Sequence, residues 1–136
     1  MSTTLRTILI VDDDATIRLA LESVLTPMGY RVLTTSSGDT AYSLLAQDPV
    51  DAVLLDIRLP LISGPALYLA ILSRWPQLEG HIAMMTGDAD APDVRPWLEQ
   101  HRLTVFRKPF RPQALLNWIA DTVETKTRKT VGRRRG

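Results

Sequence analysis

A chain of 136 residues, 45% hydrophobic and 23% charged, has room for one globular domain whose core needs no covalent staple. That composition excludes a disordered chain, a collagen-like fibre and a disulfide miniprotein, and the absence of cysteine excludes thiolate metal sites and cysteine nucleophiles. The net charge of +1 conceals two unlike parts: residues 1–123 hold ten Lys and Arg against 14 Asp and Glu, while residues 124–136 hold six basic residues against Glu124 alone. The expected division is an acidic domain over 1–123 and a mobile basic tail over 124–136. The apolar run Ile8–Val11 is too short for a signal peptide, and Leu59–Leu72, broken by Pro60, Ser63, Gly64 and Pro65, is too interrupted to span a membrane. The lack of cysteine fits a reducing, cytoplasmic location.

Thr7–Val11 (TILIV) is continuous, β-branched and bounded by acid, which predicts a buried strand. Asp14 is placed to cap a helix over Thr16–Met28, whose Ile17, Leu21, Val24 and Met28 recur at helical spacing until Gly29 stops it. A second strand is expected at Arg31–Thr35 and a second helix at Gly38–Gln47, with Ala41, Leu44 and Leu45 inward. Asp51–Leu55 predicts a third strand, Pro65–Trp75 a third helix on Leu67, Ile71 and Trp75, and His81–Met85 a fourth strand. The fourth helix falls in Asp90–Gln100, where Pro92 and Pro96 intrude. An interior proline costs about 3 kcal/mol, so a short, late-starting or partly unwound helix is expected there. Leu103–Phe106 predicts the fifth strand and Pro112–Val123 the fifth helix, on Leu115, Ile119 and Val123.

Five strand–helix repeats whose strands are apolar on both faces require helices on both sides of a parallel sheet. With right-handed crossovers, the expected architecture is a doubly wound α/β fold with the flavodoxin-like strand order 2-1-3-4-5. Ligands of such sheets sit at the carboxyl ends of the strands. Asp12, Asp13 and Asp14 follow the first strand, Asp56 the third, Thr86 the fourth and Lys108 the fifth, so in this order they converge. Clustered carboxylates repel unless a cation intervenes, and Mg²⁺, which takes oxygen ligands octahedrally, suits such a set. Asp56 kept ionised could then act as a nucleophile, with hydroxyl and ammonium spreading the charge of a transferring phosphoryl group. Lys108 is the single lysine among nine arginines in residues 1–123, and a guanidinium fork does not replace a compact ammonium.

Val11-Asp12-Asp13-Asp14, Leu55-Asp56-Ile57-Arg58-Leu59-Pro60 with Gly64, Met85-Thr86-Gly87 and Lys108-Pro109-Phe110 together resemble the receiver domain of two-component response regulators, the CheY-like family, over roughly residues 5–123. The resemblance implies that Asp56 accepts a phosphoryl group from the phosphohistidine of a sensor histidine kinase or a phosphotransfer protein. It implies that Mg²⁺ is held by Asp13, by Asp12 mainly through water, by Asp56 and by the backbone carbonyl of Arg58. Thr86 and Lys108 would each bind a phosphoryl oxygen, and the Lys108–Pro109 bond would be cis. Such a domain is a phosphoacceptor that catalyses its own phosphorylation and dephosphorylation rather than an enzyme acting on a separate substrate.

Three departures from the family pattern fall on one side, that of the fourth helix, fifth strand and fifth helix. The usual aromatic switch position is Val105, with Phe106 turned by strand alternation to the other face. The usual Gly-Ala pair before the fifth strand is His101-Arg102, and Pro96 interrupts the fourth helix. That side is the family's usual surface for an output partner or a homodimer. An unphosphorylated interaction module on the same fold is the alternative reading.

Each feature has a plainer reading. Asp12–Asp14 could be an acidic helix start, Lys108 a solvated surface lysine and Thr86 a turn residue. His81 and His101 are expected to face solvent, and Trp75, Trp97 and Trp118 to pack. Leu61 and Ile62 are expected exposed, where a kinase could dock or where they pack locally. Lys126, Arg128, Lys129 and Arg133–Arg135 could touch nucleic acid nonspecifically, but no DNA-binding motif accompanies them. Arg58, two residues after Asp56, argues against a haloacid dehalogenase-type phosphatase, which needs a second aspartate there. No phosphate-binding glycine loop is present. Arg58 and Asp88 are the positions expected to tune the lifetime of a phosphoryl group on Asp56.

Overall fold

The computed structural model describes residues 5–88 and 91–135, with side chains through Val123. Five strands, Thr7–Val11 (β1), Arg31–Thr35 (β2), Ala52–Asp56 (β3), Ile82–Thr86 (β4) and Thr104–Arg107 (β5), form one parallel sheet in the order β2-β1-β3-β4-β5. Five helices alternate with them: Ala15–Leu25 (α1), Gly38–Gln47 (α2), Gly64–Arg74 (α3), Arg95–His101 (α4) and Pro112–Arg135 (α5). This is the expected doubly wound order. β3, β4 and β5 each run one residue later than the hydrophobic pattern alone suggests, because the polar residues that close them still take part in the ladder.

The alternation of the three central strands explains why the sheet needs helices on both sides. Leu9, Val11, Val53, Leu55 and Met84 pack with Ala41 and Leu45 of α2, Leu67 and Ile71 of α3 and Leu98 of α4. Ile8, Ile10, Leu54, Ala83 and Met85 pack with Leu21 and Leu25 of α1 and Leu115 and Ile119 of α5. Every residue of β1, β3 and β4 is buried, while the edge strands β2 and β5 are partly exposed. Val105 packs on the α4 side. Phe106 faces the other way, edge-on to Phe110 and Trp118 at 6.4 and 6.1 Å.

Helix ends follow local chemistry. The Asp14 side chain accepts the Thr16 N–H at 2.9 Å, as a cap should. α1 ends at Leu25, not at Met28: Pro27 lacks the N–H that would continue it, and a single 3₁₀ turn over Thr26–Met28 leads into Gly29 at φ 94°. α4 has only seven residues and begins at Arg95, so Pro96 falls in its first turn, where a missing N–H is harmless. Arg102, in the left-handed conformation at φ 52°, closes it. α5 continues through Arg135, beyond the end expected at Val123; residues 124–131 contain neither Gly nor Pro to stop it. The side chains of residues 124–135, and with them any contact of the basic tail with nucleic acid, lie outside the described residues. No helix among the described residues is long and apolar enough to cross a membrane.

Candidate functional site

All five strands are parallel, so their carboxyl ends share one edge of the sheet. Four of these ends use the same local device, a polar side chain accepting the backbone N–H two residues ahead; at the edge strand β2, Thr35 Oγ1 takes that of Ser37 at 3.2 Å. Asp12 Oδ1 takes the N–H of Asp14 at 2.9 Å, Asp56 Oδ1 that of Arg58 at 3.1 Å, and Thr86 Oγ1 that of Asp88 at 3.0 Å. The device satisfies a loop N–H and fixes the side chain's direction at once. Asp12, Asp56 and Thr86 are all buried. The β4–β5 register sets Thr86 opposite Arg107, and the next residue's N–H, from Lys108, donates to the Thr86 carbonyl at 2.7 Å.

Lys108 reaches back across the strand ends. Its Nζ lies 2.8 Å from Asp12 Oδ2 and 3.4 Å from Asp56 Oδ2. Carboxylate oxygens of Asp12, Asp13 and Asp56 lie within 4.8 Å of one another, Asp13 being the exposed member. The Lys108–Pro109 peptide is cis, as expected.

Burial and, next, the charge of Asp12 push Asp56 up to about 6, against the Arg58 N–H and Lys108, which favour its ionised form. Burial alone would lower Lys108, but the Asp12 and Asp56 carboxylates outweigh it and hold the ammonium above its usual range. Three carboxylates and one ammonium leave a net charge of two negative units at the mouth. Asp12 Oδ2, wholly enclosed, accepts no aligned hydrogen bond beyond its contact with the ammonium. A hard dication with oxygen ligands fits this donor set in charge and in chemistry.

Gly64 explains how α3 is fitted beneath this mouth. Its N–H donates to the Ile57 carbonyl at 2.8 Å. A Cβ there would stand 2.5 Å from the Asp56 carbonyl oxygen and 2.6 Å from Ile57 Cα.

The residues singled out by sequence therefore divide. Asp12, Asp13, Asp56, Thr86 and Lys108 come together. Arg58 contributes its N–H to Asp56 but sends its guanidinium outward, where two nitrogens meet the two carboxylate oxygens of Asp93 at 3.0 and 3.3 Å. Asp93 gave no sequence signal, lying 35 residues from Arg58 in a Pro-interrupted stretch. Leu61 is fully exposed, but Ile62 is half-buried: it packs into the core, and a Cβ on Gly38 would collide with it. Neither histidine simply faces solvent. His81 Nδ1 is 3.2 Å from the Asp51 carbonyl, far from the site, and His101 packs against Trp97 and Tyr68. Trp75, Trp97 and Trp118 pack against the core as expected. On the α4–β5 side, Leu98, Leu103 and Val105 floor a groove of about 530 Å³ rimmed by Arg95, Arg102 and Arg107.

A family described as the response regulator receiver domain matches residues 8–120. The chain is 37% identical over 108 residues to "Probable transcriptional regulator ycf27" of Guillardia theta, covering 79% of this chain and 41% of that protein. It is 36% identical over 101 residues to the DNA-binding transcriptional regulator NtrC of Klebsiella pneumoniae, covering 74% of this chain and 21% of the relative. The chain thus spans well under half the length of these relatives. Among solved structures, the signal receiver domain of an HD domain-containing protein from Pseudomonas fluorescens Pf-5 superposes with a TM-score of 0.81 at 26% identity, covering 96% of this chain and 95% of that one.

Proposed function

As this chain belongs to the response regulator receiver domain family, we propose that it is a phosphorylation-dependent switch in which Asp56 takes a phosphoryl group from the phosphohistidine of a sensor histidine kinase or phosphotransfer protein. The observation that carries this reading is the Lys108 ammonium lodged between Asp12 and Asp56, at 2.8 and 3.4 Å, beside the buried Thr86. An Asp56 carboxylate oxygen attacks phosphorus as the phosphorus–nitrogen bond breaks, and the donor imidazole nitrogen leaves with the electron pair. Lys108 then turns from the carboxylates to a phosphoryl oxygen. The Thr86 oxygen already accepts the Asp88 N–H, which leaves its hydroxyl proton free to be donated to another. Asp12, Asp13, Asp56 and the backbone carbonyl of Arg58 would hold Mg²⁺, which supplies charge neutralisation for the transferring oxygens. Water attack on the same phosphorus returns Asp56 to its starting state.

Residues 1–123 carry this chemistry in the cytoplasm, and residues 124–135 form a basic extension of α5. The signal leaves through the face of α4, β5 and α5, toward an output partner or a second copy of the chain. Intact mass after incubation with acetyl phosphate tests the reading. One phosphoryl adduct is expected, dependent on Mg²⁺ and lost in Asp56→Asn. The absence of both an adduct and beryllofluoride binding would overturn it in favour of an unphosphorylated interaction module, the reading that Val105 and the short α4 would then support.

A further inference from the structure

Arg58 has two parts with different neighbours. Its N–H is tied to Asp56 Oδ1 at 3.1 Å, so the residue is rooted at the rim of the pocket. Its guanidinium is turned away and gripped bidentately by Asp93. Both side chains are more than half exposed, at 55% and 65%. An exposed pair of this kind is a weak tie even with good geometry. Asp88 and Asp56 add further negative potential around the guanidinium.

Asp93 lies in the turn two residues before α4. The Ala91 carbonyl accepts the N–H groups of Val94 and Arg95, at 3.0 and 2.9 Å, and Ala91 and Val94 pack into the core. α4 itself begins at Arg95, and Val94 before it supplies no side-chain cap. The Arg58–Asp93 pair therefore straps the segment leading into α4 to the loop that follows Asp56. The strap crosses between the two strand ends, β3 and β4, that present Asp56 and Thr86.

We propose that Arg58 is a movable phosphoryl ligand, parked on Asp93 until Asp56 is modified, and that its transfer to the phosphoryl group unstraps the start of α4. This rests on the phosphoacceptor reading of Asp56. A phosphoryl group brings about −1.5 to −2 charges and three acceptor oxygens to the pocket. Asp93 offers one charge at an exposed position. Lys108 is already divided between two carboxylates, so a second cation rooted beside Asp56 gains a stronger partner by leaving Asp93. α4 is thereby coupled to the pocket by charge, without an aromatic side chain at Val105.

The test uses the full chain with Mg²⁺ and beryllofluoride as the phosphoryl analogue, binding being followed by fluorine NMR. Asp93→Asn frees Arg58 in advance and is expected to tighten beryllofluoride binding by about two- to five-fold, the range that an exposed ion pair supplies. Arg58→Gln is expected to weaken binding. In the double variant the Asp93 effect should vanish, leaving the affinity of Arg58→Gln. Amide exchange adds a structural readout: beryllofluoride should speed exchange over residues 94–98 in the wild type. In Asp93→Asn that exchange should already be fast without ligand. An Asp93→Asn affinity equal to that of the wild type overturns the proposal, as does an Asp93 effect that persists without Arg58. Failure of the wild type to bind beryllofluoride at all overturns the phosphoacceptor reading and this one together, so the two failures are distinguishable.

Discussion

Gly64, the first residue of α3, stands against Asp56, the last residue of β3, so closely that a Cβ on the glycine would lie 2.5 Å from the aspartate's carbonyl oxygen. The obstacle is backbone, and the Gly64 N–H to Ile57 carbonyl bond at 2.8 Å holds the two segments together. Gly64→Ala must therefore move either α3 or the strand end that aims the Asp56 carboxylate. We expect a loss of about 1–3 kcal/mol in urea unfolding, the usual cost of overpacking. Phosphorylation by acetyl phosphate should slow as well. A variant of wild-type stability would show that the loop after Asp56 yields without strain.

The raised Asp56 makes stability depend on pH in a direction opposite to that of most paired carboxylates. Its ordinary value is 3.8 and its value in the fold is about 6, so between these the folded state binds more protons than the unfolded one. Stability is then fully present below about pH 4 and is lost as pH rises through about 6, by on the order of 3 kcal/mol. Asp56→Asn removes this loss and should flatten the profile, leaving the variant more stable than wild type above about pH 7 in chelator. Mg²⁺ favours the ionised form and should stabilise the wild type strongly at about pH 7.5 and little at about pH 5. Thermal unfolding across that range, with Mg²⁺ or chelator, checks both signs. Equal stabilisation by Mg²⁺ at both pH values would refute the assignment.

Lys108 competes with any dication for Asp12 and Asp56, since its ammonium sits 2.8 and 3.4 Å from their oxygens. Lys108→Met removes that competitor and leaves the carboxylates more negative. Mg²⁺ should bind about five-fold tighter or more, the weight of one unit charge at about 4 Å in water. The phosphoryl adduct should nevertheless form more slowly, because the transferring oxygens lose their ammonium. Lys108→Arg should not restore it, because a planar fork does not fit a position shaped for a point charge between two carboxylates. Mg²⁺ titration by calorimetry and adduct formation by mass separate the two effects. A variant that loses both would make Lys108 a structural brace.

The parts of this molecule legible in its sequence are those fixed by short-range rules. Asp14 as a cap, the turn of Phe106 away from Val105 and the late start of α4 at Arg95 each follow from one or two neighbouring residues. The site was legible because parallel strands bring their ends together whatever lies between them. The Arg58–Asp93 pair was not, since it depends on how two loops lie across that edge, and no pattern in either loop encodes it. Ile62 was misjudged for a similar reason. In sequence it stands beside the exposed Leu61, and only the fold shows that a Cβ-free Gly38 leaves room for it. The end of α5 went unseen because residues 124–131 have no apolar periodicity but also nothing that stops a helix.

Leu61 combines a left-handed backbone, φ 72°, with a side chain fully open to solvent. A non-glycine residue in this region carries roughly 1–2 kcal/mol of steric strain from its Cβ, and no burial of the Leu61 side chain offsets it. Leu61→Gly relieves the strain but loosens the unfolded chain, so the net gain is smaller, about 0.5–1 kcal/mol. Leu61→Asn, which tolerates the left-handed region and keeps a Cβ, should gain somewhat less. Neither residue touches the carboxylates, so adduct formation with acetyl phosphate should be unchanged for both. If a histidine kinase grips Leu61, transfer from phosphohistidine should fall while transfer from acetyl phosphate does not, a split that a purely local strain would not produce. Urea unfolding alongside the two phosphorylation assays decides it. A loss of stability in Leu61→Gly would mean that the leucine makes a contact the fold depends on.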